Sequence, residues 1–298
     1  MVNQQVPMVM PKMTMTEGVL AAARVLATID ELLGGEPGCI RSRMIPAVAE
    51  RRTRRGSAGR SRRVPPAAGV VLASGAGTRV GAEMNKVYLP LAGRRLVSWS
   101  LDAFARVPEI GALLLVTRPQ DRDLVDWVLD REVGSRVEVV YGGETRQESE
   151  LRALRWLSSR IDEGSVDSVL IHDAARPLVS PALIAGVLHE AREHGGAIPA
   201  LPADDLVAVD EAGALTGQGP TSIVRAQTPQ GFRAGPLLEV YERAARDDFV
   251  GTDTASVMER FSELPVRWVR GEQQNFKITY PHDLVVAEQI LAAADYRT

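Results

Sequence analysis

The 298-residue chain has one cysteine, Cys39, and only four histidines. A lone cysteine excludes an internal disulfide framework and suits a reducing compartment, so the expected location is the cytoplasm. The thiol itself reads as incidental rather than nucleophilic. The histidines keep no metal-ligand spacing, which argues against a zinc site. No apolar run approaches the roughly 20 residues that span a bilayer, so no membrane association is expected. The first residues lack the compact apolar block and cleavage site of a secretory signal. No glycine–lysine pair precedes a Ser or Thr, which excludes a Walker loop, and internal repeats are absent.

What remains is an ordinary globular composition, 45% apolar and 24% charged, enough for one large domain or two small ones. The net charge of -3 hides an asymmetry: residues 1–64 hold 11 Lys or Arg against 5 Asp or Glu, leaving the rest with 24 against 33. An acidic body argues against nucleic-acid binding. Residues 1–65 read as a largely disordered basic extension, with one amphipathic helix over 16–33 stopped by Gly34-Gly35.

From residue 66 to 298 the pattern is that of one α/β domain. Short apolar runs at Ala68–Ala73, Ala112–Thr117, Val137–Val140, Ser168–His172 and Ala197–Ala200 read as buried strands. Helical stretches at Leu96–Val107, Asp121–Glu132, Arg146–Ser158 and Ala182–His194 lie between them. The alternation predicts a doubly wound, Rossmann-like, mostly parallel sheet, whose ligands bind at the carboxyl ends of the strands. Val207–Val209, the glycine-rich 213–219 stretch and Ile223–Val224 read as a hairpin arm, about 205–225, leaving that sheet.

The first strand breaks into Ala73-Ser74-Gly75-Ala76-Gly77-Thr78-Arg79, and Lys86 follows seven residues later. Glycines bring bare N–H groups against phosphate oxygens, and the two cations supply the charge that a transferring phosphoryl group demands. Three readings of the turn compete: a plain strand–helix turn, a dinucleotide fingerprint and a nucleotidyltransferase loop. Val80 stands where the fingerprint wants glycine, Gly81 comes one position late, and Arg79 would crowd a pyrophosphate.

Four more segments carry polar chemistry. His172-Asp173-Ala174-Ala175-Arg176-Pro177 puts a carboxylate at a strand tip and a guanidinium ahead of a helix-starting proline. Asp173 could hold a metal, orient a substrate hydroxyl, or merely pair with Arg176 to cap the helix. Gly142-Gly143-Glu144, with Arg146 and Ser149 behind it, is a turn suited to a base or ribose, or a simple β–α turn. Thr228-Pro229-Gln230 follows later. In Asn275–Thr279 a strand-like alternation points the Lys277 ammonium away from Phe276 and Ile278, either into solvent or toward a phosphate opposite Lys86.

Taken in order, these segments and Lys86-Val87-Tyr88-Leu89-Pro90 resemble the methylerythritol-phosphate cytidylyltransferase family over roughly residues 66–295. The resemblance implies transfer of CMP from CTP to a polyol phosphate, with Mg²⁺ bridging the phosphates and held mainly by them. It assigns catalysis to Arg79, Lys86 and Lys277. Ala73, Ser74, Gly75, Ala76, Gly77, Gly143, Glu144, Ser149 and Ala174 become nucleotide contacts, and Asp173, Arg176, Arg225 and Thr228 acceptor contacts. It also implies a homodimer completed through the arm.

The departures fall in the acceptor half. Asp205 is followed by Leu206 where the family has threonine, and Pro220 stands where it has an arginine, with Arg225 the nearby substitute. Asn85 replaces the usual proline before Lys86. Methylerythritol phosphate is therefore the default acceptor, with ribitol phosphate or another polyol phosphate or phosphonate as runner-up. A degenerate nucleotide-binding paralogue is the non-catalytic alternative, and an NAD-dependent dehydrogenase is opposed by Arg79 and Val80.

Overall fold

The computed structural model describes residues 66–75, 84–203, 206 and 223–295. The N-terminal extension with its helix over 16–33, the loop positions Ala76, Gly77, Arg79, Val80 and Gly81, and the arm positions Asp205, Val207–Val209, 213–219 and Pro220 lie outside those residues.

Ten strands are described: β1 (Ala67–Leu72), β2 (Pro90–Leu91), β3 (Arg94–Arg95), β4 (Ile110–Thr117), β5 (Glu138–Tyr141), β6 (Ser168–Asp173), β7 (Gly196–Pro202), β8 (Val224–Ala226), β9 (Gln230–Arg233) and β10 (Val266–Arg270). β2 and β3 form a small ribbon of their own. The other eight make one sheet in the order β10–β7–β9–β6–β1–β4–β5, with β8 alongside β7. β4, β1 and β6 run parallel, as do β4 with β5 and β10 with β7. β9 is inserted antiparallel between β6 and β7. The sheet is thus mostly parallel, as the alternating pattern predicts.

Seven helices are described: α1 (Leu96–Ala105), α2 (Arg122–Arg131), α3 (Arg146–Asp162), α4 (Pro181–His194), α5 (Ala234–Arg246), α6 (Thr254–Phe261) and α7 (Pro281–Asp295). Parallel strands need crossovers, and the crossovers place helices on both faces. β1 shows the consequence. Ala67 and Val71 pack with Val97, Leu101 and Phe104 of α1 and with α4 on one side. Ala68, Val70 and Leu72 pack with Leu154 and Leu157 of α3 and with α5 and α6 on the other. Every residue of β1 is buried, which is why it reads as a continuous apolar run rather than an alternating one. Each fully buried leucine contributes about 1.5–3 kcal/mol, so these two layers hold the strand tips in place for the site above them.

Three local expectations are corrected. Pro177 does not start a helix: α4 begins at Pro181, where the Ser180 hydroxyl accepts a hydrogen bond from Leu183 N at 3.0 Å and caps it. Asn275–Thr279 belongs to no strand. Ile278 nonetheless turns inward, its N–H donating to Ala175 O at 2.8 Å. Val224 does not leave the sheet, because it opens β8 and pairs with Pro202 of β7. Among the described residues no helix is long and apolar enough to cross a membrane.

Candidate active site

The carboxyl ends of β1, β4, β5 and β6 open on a cleft of about 700 Å³. Its walls include Ser74 and Gly75 after β1, Arg118 after β4, Gly143 and Glu144 after β5, and Asp173 of β6. Lys86 and Lys277 enter from outside the sheet and line the same space. Of the three cations expected to converge, these two do; Arg79 lies outside the described residues.

Lys86 opens a short 3₁₀ turn, Lys86–Tyr88, that is locked from behind. The buried Asn85 amide donates to Ala73 O at 2.7 Å and to Asp121 Oδ2 at 3.1 Å. Asp121 also takes two 2.7 Å bonds from the Arg118 guanidinium. The asparagine that departs from the family pattern therefore ties the Lys86 turn to the tip of β1. Tyr88 is buried against Thr117, and burial pushes its hydroxyl up to about 12, so it stays a neutral hydrogen-bonding group. Lys86 Nζ donates to Ile278 O at 2.8 Å, one residue from Lys277.

The glycine pair after β5 is a tight junction. The Ser149 hydroxyl accepts from Ser74 Oγ at 2.8 Å and from Gly143 N at 3.1 Å, and donates to Thr145 O at 2.8 Å. Ser149 is fully buried, so its hydroxyl joins the β1 loop to α3 rather than facing the cleft. A Cβ at Gly142 would lie 2.6 Å from Ser149 Oγ and 2.8 Å from Ser74 Cβ, so only glycine lets the two turns meet. Glu144 N donates to Glu148 Oε2 at 2.9 Å, and the Thr145 hydroxyl caps α3 by accepting from Glu148 N at 3.1 Å.

Asp173 is the carboxylate at the β6 end of the cleft. Lys277 Nζ donates to its Oδ2 at 2.7 Å and Arg146 Nε to its Oδ1 at 3.4 Å. Burial opposes its charge, yet the Arg146 and Lys277 cations, with Arg176 behind them, hold its carboxyl well below the usual carboxylate range. Its alternative role as a helix-capping partner of Arg176 does not occur. Arg176 turns away and donates to Asn275 O at 2.8 Å and Ala226 O at 3.4 Å. Burial lowers the affinity of that guanidinium for its proton, but an arginine remains charged. Ala174 is buried under the strand tip, with its N–H on Leu72 O at 3.0 Å.

Thr228 stands behind Asp173, its hydroxyl taking the Asp173 N–H at 3.0 Å and meeting His172 Nδ1 at 3.0 Å. His172 Nε2 lies 3.1 Å from Arg176 O, a carbonyl that can only accept. The proton therefore sits on Nε2, and Thr228 donates to Nδ1. Burial pushes the His172 imidazole down to about 4, which keeps it neutral at ordinary pH. Arg225 is exposed on β8, opposite Leu201, and away from the cleft walls. Thus Ser74, Gly75, Lys86, Gly143, Glu144, Asp173 and Lys277 line one space. Ala73, Ser149, Ala174, Arg176 and Thr228 support it, and Arg225 stands apart.

Sequence reasoning missed the Arg118 wall and the grip on Arg146. Arg146 pairs with Glu150 Oε1 at 2.6 Å, and burial raises the Glu150 carboxyl while Arg146 opposes that rise. The available signal was a charge on an apolar stripe: Glu150 shares the buried face of α3 with Leu154 and Leu157.

A mostly parallel, doubly wound α/β domain with a cationic cleft at the strand ends places this chain in a class of nucleotide-handling folds. A family model described as IspD, 2-C-methyl-D-erythritol 4-phosphate cytidylyltransferase, matches residues 67–293. The chain belongs to that family. It is 38% identical over 231 residues to the 2-C-methyl-D-erythritol 4-phosphate cytidylyltransferase of Cereibacter sphaeroides strain KD131, covering 76% of this chain and 97% of that one. It is also 38% identical over 232 residues to the bifunctional enzyme IspD/IspF of Dinoroseobacter shibae, covering 78% of this chain but 55% of the relative. Among solved structures, the 2-C-methyl-D-erythritol 4-phosphate cytidylyltransferase of Thermus thermophilus is 32% identical with a TM-score of 0.57. The alignment covers 75% of this chain and 98% of that one.

Proposed function

We propose that this protein transfers CMP from CTP to 2-C-methyl-D-erythritol 4-phosphate and releases pyrophosphate. The observation that carries the reading is the one cleft in which Lys86 and Lys277 meet beside a glycine turn and the Asp173 carboxylate. In the reaction a phosphate oxygen of the acceptor bonds to the α-phosphorus of CTP. The bond from that phosphorus to the β-bridging oxygen breaks, and pyrophosphate leaves with the electron pair. The attacking oxygen is already ionised at neutral pH, so no general base is required. The protein's work is then alignment and neutralisation of charge.

Lys86 and Lys277 are assigned to the phosphates, Gly143 and Glu144 to the nucleoside, and Asp173 to the acceptor. Thr228 holds the Asp173 N–H, and Arg176 ties down the Asn275 and Ala226 carbonyls. Among the described residues no group of three or more His, Cys, Asp or Glu side chains is placed to hold a metal ion. Asp173 is already engaged by two cations. In this reading Mg²⁺ would come in on the triphosphate and neutralise phosphate charge. A cytoplasmic homodimer completed through the arm belongs to the same reading.

The departures at Leu206 and Pro220 motivate one second reading, a different polyol phosphate as acceptor. Pyrophosphate release from CTP and Mg²⁺ with a panel of methylerythritol, ribitol, erythritol and glycerol phosphates separates them. Fastest turnover is expected with methylerythritol phosphate. A preference for ribitol phosphate would transfer the assignment to the second reading, and no release with any acceptor would end the catalytic one.

A further inference from the structure

Behind the cleft wall lies a buried carboxylate that the reaction itself does not call for. Glu150 is 1% exposed, on the inner face of α3. Its two oxygens are met by three donors from three helices. Arg146 of α3 binds Oε1, Thr254 Oγ1 at the start of α6 donates to the same oxygen at 2.9 Å, and the Tyr241 hydroxyl of α5 donates to Oε2. Arg146 also reaches Thr254 Oγ1 at 3.5 Å. From core to cleft the charges run Glu150, Arg146, Asp173, Lys277, alternating in sign, with contacts of 2.6, 3.4 and 2.7 Å.

Burying a carboxylate is costly unless its partners fully satisfy it, and replacing such a group by a well-packed apolar residue is often neutral or stabilising. Stability alone is therefore a weak reason for Glu150 to be there. Its geometry suggests another. Arg146 divides its donors between two carboxylates, Nε to Asp173 and Nη1 to Glu150. Without Glu150 the guanidinium would keep Asp173 as its one acidic partner among the described residues and, beside a cleft built for anions, would be free to swing toward a phosphate. With Glu150 present, the side chain is drawn inward and presents a fixed edge to Asp173.

We propose that Glu150 is a positioning residue for the acceptor half of the site. By neutralising and orienting Arg146, it sets where the Asp173 carboxylate stands relative to Lys277. Tyr241 and Thr254 fix Glu150 in turn, so α5 and α6 support the cleft without touching a substrate. The inference rests on the cytidylyltransferase reading, since it is read out in that reaction.

The test compares wild type with Glu150→Gln, Tyr241→Phe, Arg146→Met and the double variant Glu150→Gln/Arg146→Met. CTP and methylerythritol phosphate are varied separately, and thermal melts are run alongside. Glu150→Gln keeps the shape and removes the charge. It is expected to lower kcat/KM for the acceptor about 10–100-fold, the scale on which small misplacements near a reacting centre act, while the KM for CTP stays within about threefold of wild type. Tyr241→Phe should shift the same parameter in the same direction by a few-fold. The double variant should be no worse than Arg146→Met alone, because Glu150 acts through Arg146. Should Glu150→Gln fail to fold, Tyr241→Phe carries the test by itself. Equal losses for both substrates, unchanged acceptor kinetics in a folded variant, or losses that multiply in the double variant would overturn the inference alone. Absence of turnover by the wild type would overturn the functional reading and this inference with it.

Discussion

Lys86→Ala should lower turnover about 10²–10³-fold or more, the usual cost of removing one preorganised charge from a phosphoryl-transfer site. The chain should still fold. Lys86 Nζ donates to Ile278 O at 2.8 Å, so the variant loses that bond, at a net cost of about 0.5–3 kcal/mol in a domain with two full hydrophobic layers. The effect should appear in kcat more than in the KM for CTP, because the charge at the α-phosphate develops as pyrophosphate departs. Steady-state kinetics beside a melting curve check both halves of the expectation. Near wild-type turnover in a folded Lys86→Ala would remove the lysine from the transition state.

The second large effect is expected at Asp173. It sits between Lys277 at 2.7 Å and Arg146 at 3.4 Å, so Asp173→Asn leaves two cations facing each other across a neutral group. Acceptor kcat/KM should fall about 10²-fold or more through lost alignment. CTP affinity should hold or improve, since net positive charge in the cleft rises by one. The same substitution should change the acid limb of stability. The folded carboxyl titrates below its ordinary value of 3.8, so its stabilisation is present above that value and is lost as the pH falls below about 4. Urea unfolding of wild type from neutral pH into acid should show this loss, and Asp173→Asn should show less of it. Parallel profiles for the two proteins, with intact acceptor kinetics in the variant, would contradict the assignment.

The fold was largely legible because β1, β4, β6 and β7 are short apolar runs buried on both faces, with helices of ordinary length between them. β9 and β10 were not. β9, Gln-Gly-Phe-Arg, has no periodicity to read, and β10 is an edge strand whose Arg267 and Arg270 are exposed. The cleft lysines were legible as residues, but their partners were not. Lys277 meets Asp173 across 104 positions, and Lys86 meets Ile278 across 192. No local pattern encodes such pairings; β6 lies beside β1, and the Ile278 N–H on Ala175 O brings the Lys277 segment to the same place. Ser149 shows the opposite limit. Its place beside the Gly142-Gly143 turn follows from the sequence, but the structure uses its hydroxyl to join Ser74 to Gly143. A hydroxyl's partners depend on which strand tips converge, and a sequence does not display that.

Both lysines now rest on protein atoms, Lys86 on the Ile278 carbonyl and Lys277 on Asp173, and the proposed mechanism has each turn toward a shared phosphate. A crystal structure with CTP and Mg²⁺ bound tests this most directly. The account predicts both Nζ atoms within hydrogen-bond reach of the α-phosphate, on opposite sides of it. A triphosphate bound with either ammonium still held by its present protein partner, and distant from the α-phosphorus, would contradict it.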